Sequence, residues 1–219
     1  NIHTLLPKKL AELSKENNLE QFIHLSALGI EEAVDSKYAS TKLSGENEIK
    51  KIFENYLILR PSLVYSVDDN FTTMLFNLLK YIPIFPLACP KSLFSPIYVK
   101  DLSNFVVESV LTSQYDNQIN NVTGPRNYSF LELIKFVLKV TNTKRIIVPL
   151  NYTLSYLQAF GFTYLVPGNI FTLDNLKSLQ RDNVSSDGLK GNTSIEEVVP
   201  SYLSKKSNKL DTYRKNAGR

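Results

Sequence analysis

The chain has 219 residues, of which 43% are hydrophobic and 21% charged, so it can bury a globular core of one domain or one and a half. A single cysteine, Cys89, excludes an internal disulfide, and two histidines, His3 and His24, are too few and too scattered to indicate a metal site. No apolar run approaches the roughly 20 residues of a transmembrane segment, and no signal peptide is recognisable. We therefore expect a cytoplasmic protein, or one peripheral to a membrane.

The net charge of +4 is concentrated at the C-terminus. Residues 205–219, KKSNKLDTYRKNAGR, contain six Lys or Arg and one acidic residue, without apolar periodicity. A solvated basic tail is the simpler interpretation, and contact with an anionic membrane surface or a partner is the alternative. No basic groove with interleaved aromatic residues indicates nucleic acid as a ligand.

The first elements are a helix and a buried strand. Leucines at helical spacing predict a helix over residues 2–15, with an irregular start because Pro7 suits a first turn better than a helix interior. Residues 21–26 are apolar on both faces apart from His24, a pattern typical of a strand inside a parallel sheet. We interpret His24 as a packed strand residue.

A second helix and strand complete a β-α-β unit. The helix is predicted over residues 36–53, with Asp35 or Ser36 as its cap. The strand at 56–60 follows it and is closed by a proline. This order favours a parallel sheet in which the strands at 21–26 and 56–60 are close neighbours.

The remainder of the chain is mostly helical. Helices are predicted at residues 71–81, 101–111, 129–140, 153–160, 172–179 and 195–203, and strands at residues 92–99, 118–122 and 145–148. Asp101 is the expected cap of one helix, and Ser129 with Glu132 forms the capping box of the next. Prolines make the apolar run 81–90 a loop, and the segment between Gly188 and Gly191 is predicted to be another.

Tyr38 and Lys42 lie four residues apart on the second helix, and therefore on one face. An ammonium beside a phenol favours the phenolate, which would lower the pKa of the tyrosine towards a working acid–base range. Ser26, at the end of the preceding strand, is the hydroxyl that could polarise a carbonyl facing the pair. The alternative is structural, because a solvated lysine often packs its stem over a tyrosine ring.

Three segments in this order carry a resemblance: FIHLS (22–26), YASTK (38–42) and LILRPSLVY (57–65). A strand ending in Ser, a helix bearing Y-x-x-x-K and a strand reading L-x-R-P form the pattern of the short-chain dehydrogenase/reductase superfamily, which the chain resembles. Later blocks narrow this to an atypical, NAD-dependent epimerase/dehydratase-like family, that of the complex I alpha subcomplex subunit 9 type. These blocks are LRPSLVYSVDDNF (59–71), PLACPKSLFSPIYVKDLSNFV (86–106), NVTGPRNYSFLELI (121–134) and FTLDNLKSLQRDNVSS (171–186), the last being the most diagnostic.

The resemblance implies an α/β fold with a Rossmann-type parallel sheet and a smaller mixed, mostly helical C-terminal region. Residues 1–68 would be the second half of an NAD(P)-binding domain, 69–204 a substrate-type region interleaved with its sheet, and 205–219 the basic tail. None of the eight glycines forms the G-x-G-x-x-G that admits a pyrophosphate to a helix N-terminus. We therefore expect an N-terminally truncated sheet and impaired binding of the dinucleotide.

The resemblance also implies a bound NADP or NAD and a set of site residues. Tyr38, Lys42 and Ser26 would be catalytic, and the cofactor would be bound by Ser26, Tyr38, Lys42, Arg60, Pro61 and Ser62. The sequence departs from the active-enzyme pattern at Ala27, where epimerases carry the catalytic hydroxyl, and at Ser66, where a glycine is usual. Loss of one oxyanion donor typically costs about 10²–10³ in rate, so we expect low turnover.

Three functions remain open. The first is an NAD(P)-binding accessory or assembly protein related to respiratory NADH:ubiquinone oxidoreductase, with complex I subunits or a membrane-peripheral assembly as partners. The second is an NAD(P)-dependent oxidoreductase or epimerase-like enzyme, acting for example in ubiquinone biosynthesis. The third is an inactive fragment of a split or decaying gene.

Overall fold

Eight helices and ten short strands make up the structure, a computed structural model that describes residues 2–33, 35–67, 69–112, 114–165 and 172–204. The helices are α1 (Ile2–Glu16), α2 (Lys37–Ile52), α3 (Asn70–Tyr81), α4 (Val99–Thr112), α5 (Phe130–Val140), α6 (Tyr152–Leu165), α7 (Leu173–Leu179) and α8 (195–204). The strands are β1 (Phe22–Leu25), β2 (Tyr56–Pro61), β3 (Val64–Tyr65), β4 (Ile84–Leu87), β5 (Leu93–Phe94), β6 (Ile97–Tyr98), β7 (Gln118–Thr123), β8 (Tyr128–Ser129), β9 (Ile146–Pro149) and β10 (Leu189–Lys190). The predicted tail at 205–219 lies outside the described residues.

The central sheet has four parallel strands in the order β1-β2-β7-β10. Phe22 pairs with Tyr56, so the prediction that the first two long strands are parallel neighbours is confirmed. The strand β2 is the most buried of the four, and its residues Leu57, Ile58 and Leu59 are fully buried. Since β7 and β10 come from beyond residue 68, the two regions of the chain share one sheet, while the boundary at 68 stays a prediction.

The helices α1 and α2 pack closely, and the contact depends on a proline and a glycine. The helix α1 is continuous through Pro7, so the predicted irregular start is wrong. Proline has no N–H to donate to the carbonyl four residues earlier, which leaves the His3 carbonyl free of that bond. A Cβ on Gly45 would lie 2.2 Å from the His3 carbonyl oxygen, so only glycine lets α2 approach the unbonded carbonyl.

The predicted helix starts are confirmed at two places. Ser36 caps α2, with its side chain accepting from the Ala39 backbone N–H. Ser129 caps α5 with its side chain, and the Glu132 carboxylate accepts from the Ser129 backbone N–H at 2.7 Å. The two contacts together form the capping box. These ends are predictable because the cap and its partner are three residues apart.

Contacts with distant residues override the predictions at α4 and at residues 92–99. The helix α4 begins at Val99 rather than at Asp101, whose carboxylate instead accepts from the Thr193 backbone N–H at 2.8 Å and hydroxyl at 3.0 Å. The single strand predicted at 92–99 is two short strands, because β5 pairs with β8 and β6 pairs with β3. In both cases the residues that make these contacts lie far apart along the chain.

Two predicted loops contain strands. The apolar run 81–90 includes β4, which pairs with β9 in a two-stranded sheet, where Pro86 is tolerated because an edge strand need not donate on both sides. The segment between Gly188 and Gly191 is β10, which extends the central sheet beside β7. Gly188 has φ +103°, and a Cβ there would lie 2.2 Å from the Asn121 carbonyl oxygen, so glycine is required at this entry.

The largest hydrophobic core lies outside the central sheet, between α3, α5 and α8. Leu75 and Leu79 of α3, Ile134 of α5 and Leu203 of α8 are nearly or fully buried in it. This cluster fixes α3, whose residues also line a cavity. Among the helices that the structure describes, none has the length and apolar character needed to cross a bilayer.

Candidate functional site

A carboxylate from α7 holds the start of the helix that carries Tyr38. Asp174 accepts from the backbone N–H groups of Lys37 at 2.6 Å and Tyr38 at 3.2 Å, and from the Ser36 hydroxyl at 3.2 Å. The first N–H groups of a helix have no partner within it, and the positive end of the helix dipole favours an anion there. Asp174 thus satisfies these groups from 136 residues away and fixes the position of Tyr38.

Tyr38 lines a cavity, and among the contacts of the described residues the Lys42 ammonium does not bond to its phenol as predicted. The Lys42 ammonium donates to the Leu25 carbonyl oxygen at 3.2 Å, at the C-terminal end of β1. Burial raises the pKa of the Tyr38 phenol and lowers the pKa of Lys42, with Glu46 opposing the latter. The expected lowering of the tyrosine pKa is therefore wrong, because partial burial raises the pKa and the ammonium is bonded to the Leu25 carbonyl instead.

Ser26 and its neighbour Ala27 face different surroundings. The Ser26 side chain is buried, and its hydroxyl has no hydrogen-bond partner among the described residues. Ala27, not Ser26, lines the cavity on which Tyr38 lies. The structure therefore does not bring the Ser26 hydroxyl to that wall, and its catalytic and cofactor-binding roles stay predictions.

The Arg60 guanidinium forms a buried ion pair away from the cavity. It donates to Glu46 at 2.9 and 2.6 Å and to Glu31 at 2.9 Å. Burial alone would lower the pKa of Arg60, but the hydrogen bonds and charge of Glu46, with a smaller contribution from Glu31, raise it. Pro61 and Ser62, which follow Arg60, do line the cavity, so the structure separates these two from the arginine.

Asn183 is a positioning residue to which the sequence analysis assigned no role. Its side-chain N–H donates to the Leu28 carbonyl oxygen at 2.7 Å, and its side-chain oxygen accepts from the Ser62 hydroxyl at 2.6 Å. Its backbone N–H donates to the Leu93 carbonyl oxygen at 2.7 Å. One residue thus joins the loop after β1, the loop after β2 and β5. The diagnostic block at 171–186 pointed to this segment without indicating its contacts.

The cavity has a volume of about 450 Å³ and lies beyond the C-terminal ends of β1 and β2. Residues 27–30 and 61–63 line it, together with residues of α3 and β4. Parallel α/β sheets commonly bind ligands at this end of their strands. The volume falls in the range of small-molecule sites. No cluster of metal-ligating side chains occurs in the part of the chain that the structure describes.

His24 should make stability depend on pH. Burial, and then the charge of Lys42, lower the pKa of His24 from 6.5 to about 4, although Glu46 opposes the shift. Between pH 6.5 and 4 the unfolded chain therefore binds a proton that the folded chain does not. The contribution of His24 to the free energy of unfolding is complete above pH 6.5 and decreases as the pH falls through this window. The upper limit of the loss is about 3 kcal/mol, and the actual loss should be smaller because the ring is only partly buried.

Urea unfolding at pH 7.5 and pH 5 measures this effect. The matched variant is His24→Phe, which keeps a ring in the strand and removes the titrating group. We expect the variant to lose less stability on acidification than the original chain. Equal losses in both proteins would show that His24 does not contribute to the pH dependence.

Among known proteins, the chain is similar to subunits of mitochondrial complex I. It is 28% identical over 206 residues to NADH dehydrogenase (ubiquinone) 1 alpha subcomplex subunit 9 of Mus musculus, covering 92% of this chain and 54% of that protein. The chain thus spans about half the length of the curated relatives that it matches. No protein-family model matches it.

Solved structures of reductases and epimerases share its fold. Triphenylmethane reductase from Citrobacter sp., complexed with NADP(H), superposes with a TM-score of 0.65 at 13% identity, covering 92% of this chain and 70% of that chain. UDP-glucuronic acid 4-epimerase from Bacillus cereus, complexed with UDP-glucuronic acid and NAD, superposes with a TM-score of 0.58 at 20% identity. The match covers 93% of this chain and 67% of that chain. The predicted α/β, Rossmann-type fold is confirmed. The chain is similar in sequence to complex I alpha subcomplex subunit 9, which confirms the resemblance, and in fold to NAD(P)-dependent reductases and epimerases.

Proposed function

We propose that the protein is an NAD(P)-binding accessory or assembly protein related to respiratory NADH:ubiquinone oxidoreductase. Its partners would be complex I subunits, and it would act at the periphery of the respiratory membrane. The similarity to subunit 9 supports the relationship. The choice of a binding role over turnover rests on Ala27, which lines the same cavity as Tyr38 and has no hydroxyl to polarise a carbonyl.

The residues present fit the nicotinamide end of NAD(P). Tyr38, Pro61 and Ser62 line the cavity, and Lys42 lies at the end of β1 with its ammonium on a backbone carbonyl. When bound, NAD(P) supplies hydride chemistry. In our proposal Tyr38 and Lys42 hold the nicotinamide ribose and the turn at Pro61 and Ser62 supports the ring. The diphosphate has no glycine-rich loop in this sequence, so we expect weak binding by the 219 residues.

Saturation-transfer NMR with NADPH and NADH tests the proposal, because it detects weak binding and identifies the protons in contact. We expect nicotinamide and ribose signals that Lys42→Ala reduces about tenfold, since a hydrogen bond from a charged group contributes roughly 1.5–3 kcal/mol. The control is Lys100→Ala, an exposed lysine on α4 that should leave the signals unchanged. Absence of transfer at millimolar NADPH and NADH would refute the binding role.

The cavity itself favours a second candidate, an NAD(P)-dependent oxidoreductase or epimerase-like enzyme, for example in ubiquinone biosynthesis. A space of about 450 Å³ with Tyr38 on its wall has the size of a substrate site. Turnover of a carbonyl substrate with NADPH that Tyr38→Phe abolishes would favour this enzyme. Persistent inactivity with intact NADPH binding would favour the accessory role.

A further inference from the structure

We propose that the cavity beside Tyr38 binds a molecule with a long apolar chain and a hydroxyl or N–H donor, and not a nucleotide sugar. The inference rests on the proposed function only for the position of the cofactor at the Tyr38 end. One part of the cavity wall is entirely apolar. It is formed by side chains of α3 and β4, including Phe71, Met74, Leu75, Leu78, Phe85 and Leu87.

The charged groups on the cavity wall cancel one another. Among the described residues that line the cavity, only Arg181 and Asp182 carry a charge, and they are adjacent and of opposite sign. The Asp182 carboxylate already accepts from the Leu93 backbone N–H at 2.9 Å. A nucleoside diphosphate brings at least two negative charges, and burying them without matching cations is costly.

Three cations elsewhere in the fold are already engaged and are not on the wall. Arg60 is paired with Glu46, and the Lys42 ammonium contacts a backbone carbonyl. The Arg145 guanidinium donates to the backbone carbonyls of Leu79 at 2.5 Å and Lys80 at 2.7 Å, at the end of α3. Moving any of them to a diphosphate would break an existing contact, which again favours an uncharged ligand.

Gln158 of α6 lines the cavity and has an unsatisfied side-chain acceptor. Its side-chain N–H donates to the Pro86 carbonyl oxygen at 3.0 Å, which orients the amide. The Gln158 Oε1 atom is buried and has no hydrogen-bond partner among the described residues. A buried acceptor left unpaired costs free energy, and a ligand hydroxyl or N–H placed there would satisfy it. The ligand therefore combines an apolar chain with at least one donor.

Displacement of a neutral apolar fluorophore tests the proposal directly. The probe is N-phenyl-1-naphthylamine, which brightens in apolar sites, and the competitors are hexanol, octanol and decanol. We expect one binding site per chain, with competitor affinity rising roughly fourfold per added methylene, as burial of apolar surface predicts. UDP-glucose should not displace the probe at millimolar concentration.

Matched variants show whether the probe binds in the cavity. Met74 lines the cavity yet is 42% exposed, so the Met74→Lys variant should fold. Its affinity for the probe and for decanol should be at least tenfold lower. Val107→Lys, 55% exposed on α4 and away from the cavity, should change neither. Gln158→Met should weaken the binding of the alcohols, because it removes the acceptor for their hydroxyl.

Several results would overturn the inference: displacement by micromolar UDP-glucose, equal binding by the Met74→Lys and Val107→Lys variants, or no dependence on alcohol length. NADPH contacts measured by NMR on the same samples separate the two proposals. Loss of NADPH binding with the probe retained would refute only the cofactor role. If NADPH binds and the probe does not, only the proposal of an apolar ligand is refuted.

Discussion

Glu46→Ala is expected to lower the free energy of unfolding by about 3–5 kcal/mol, the cost of leaving a buried charge without its partner. Glu46 is fully buried in α2, and its two carboxylate oxygens accept from the Arg60 guanidinium at 2.9 and 2.6 Å. Arg60 is itself only 7% exposed. Removing Glu46 would leave Glu31 as the remaining carboxylate, and the Glu31 side chain is 63% exposed.

Urea unfolding at pH 7 measures the effect, with Glu31→Ala as control. The control removes the exposed partner of the same arginine, so it should cost less than about 1 kcal/mol. The double variant Glu46→Leu with Arg60→Met should recover most of the loss, because apolar groups of similar size can replace a buried ion pair. Similar losses for Glu46→Ala and Glu31→Ala would contradict the assignment of the pair as buried.

Gly45→Ala is the second substitution with a large expected effect. The added methyl would lie 2.2 Å from the His3 carbonyl oxygen and 3.7 Å from Pro7, so α1 must move away from α2. Overpacking of this kind costs about 1–3 kcal/mol or more, which exceeds the roughly 1 kcal/mol that alanine gains over glycine in a helix. We expect a net loss of stability and a change in the environment of Tyr38, whose ring contacts His3 at 5.3 Å between centroids.

Gly161→Ala provides the matched control for this substitution. Gly161 also lies inside a helix, α6, but apart from the helix's own backbone and the chain neighbours, no atom of the described residues would lie within 4 Å of a Cβ there. The control should therefore raise the free energy of unfolding by up to about 1 kcal/mol. Thermal unfolding of both variants gives the comparison, and a stabilised Gly45→Ala protein would show that the two helices are not in close contact.

Local patterns in the sequence predicted the elements that depend on neighbouring residues. The strand pair at Phe22 and Tyr56, the cap at Ser36 and the capping box at Ser129 all follow from spacings of a few residues or from apolar runs. The loop predicted around Pro86 is wrong because its pairing partner β9 lies about 60 residues later. Nothing in the apolar run itself indicates that partner.

The site was predictable in its types of residue but not in their contacts. The helical spacing of Tyr38 and Lys42 is local, whereas the contact of the Tyr38 ring with His3 depends on how α1 packs against α2. Arg60 belongs to the predicted L-x-R-P strand, yet its side chain binds Glu46 of α2. The role of Asn183 follows only from three contacts in three dimensions.

The capping of α2 by Asp174 has a consequence for the order of folding. Asp174 and Asn183 lie 138 and 155 residues after the groups that they hold near Ser36 and Leu28. Contacts of such long sequence separation form slowly because a large loop must close first. During synthesis the β-α-β unit can pair before α7 has left the ribosome. We therefore expect the cavity beside Tyr38 to be completed last, when the strand–helix unit already exists.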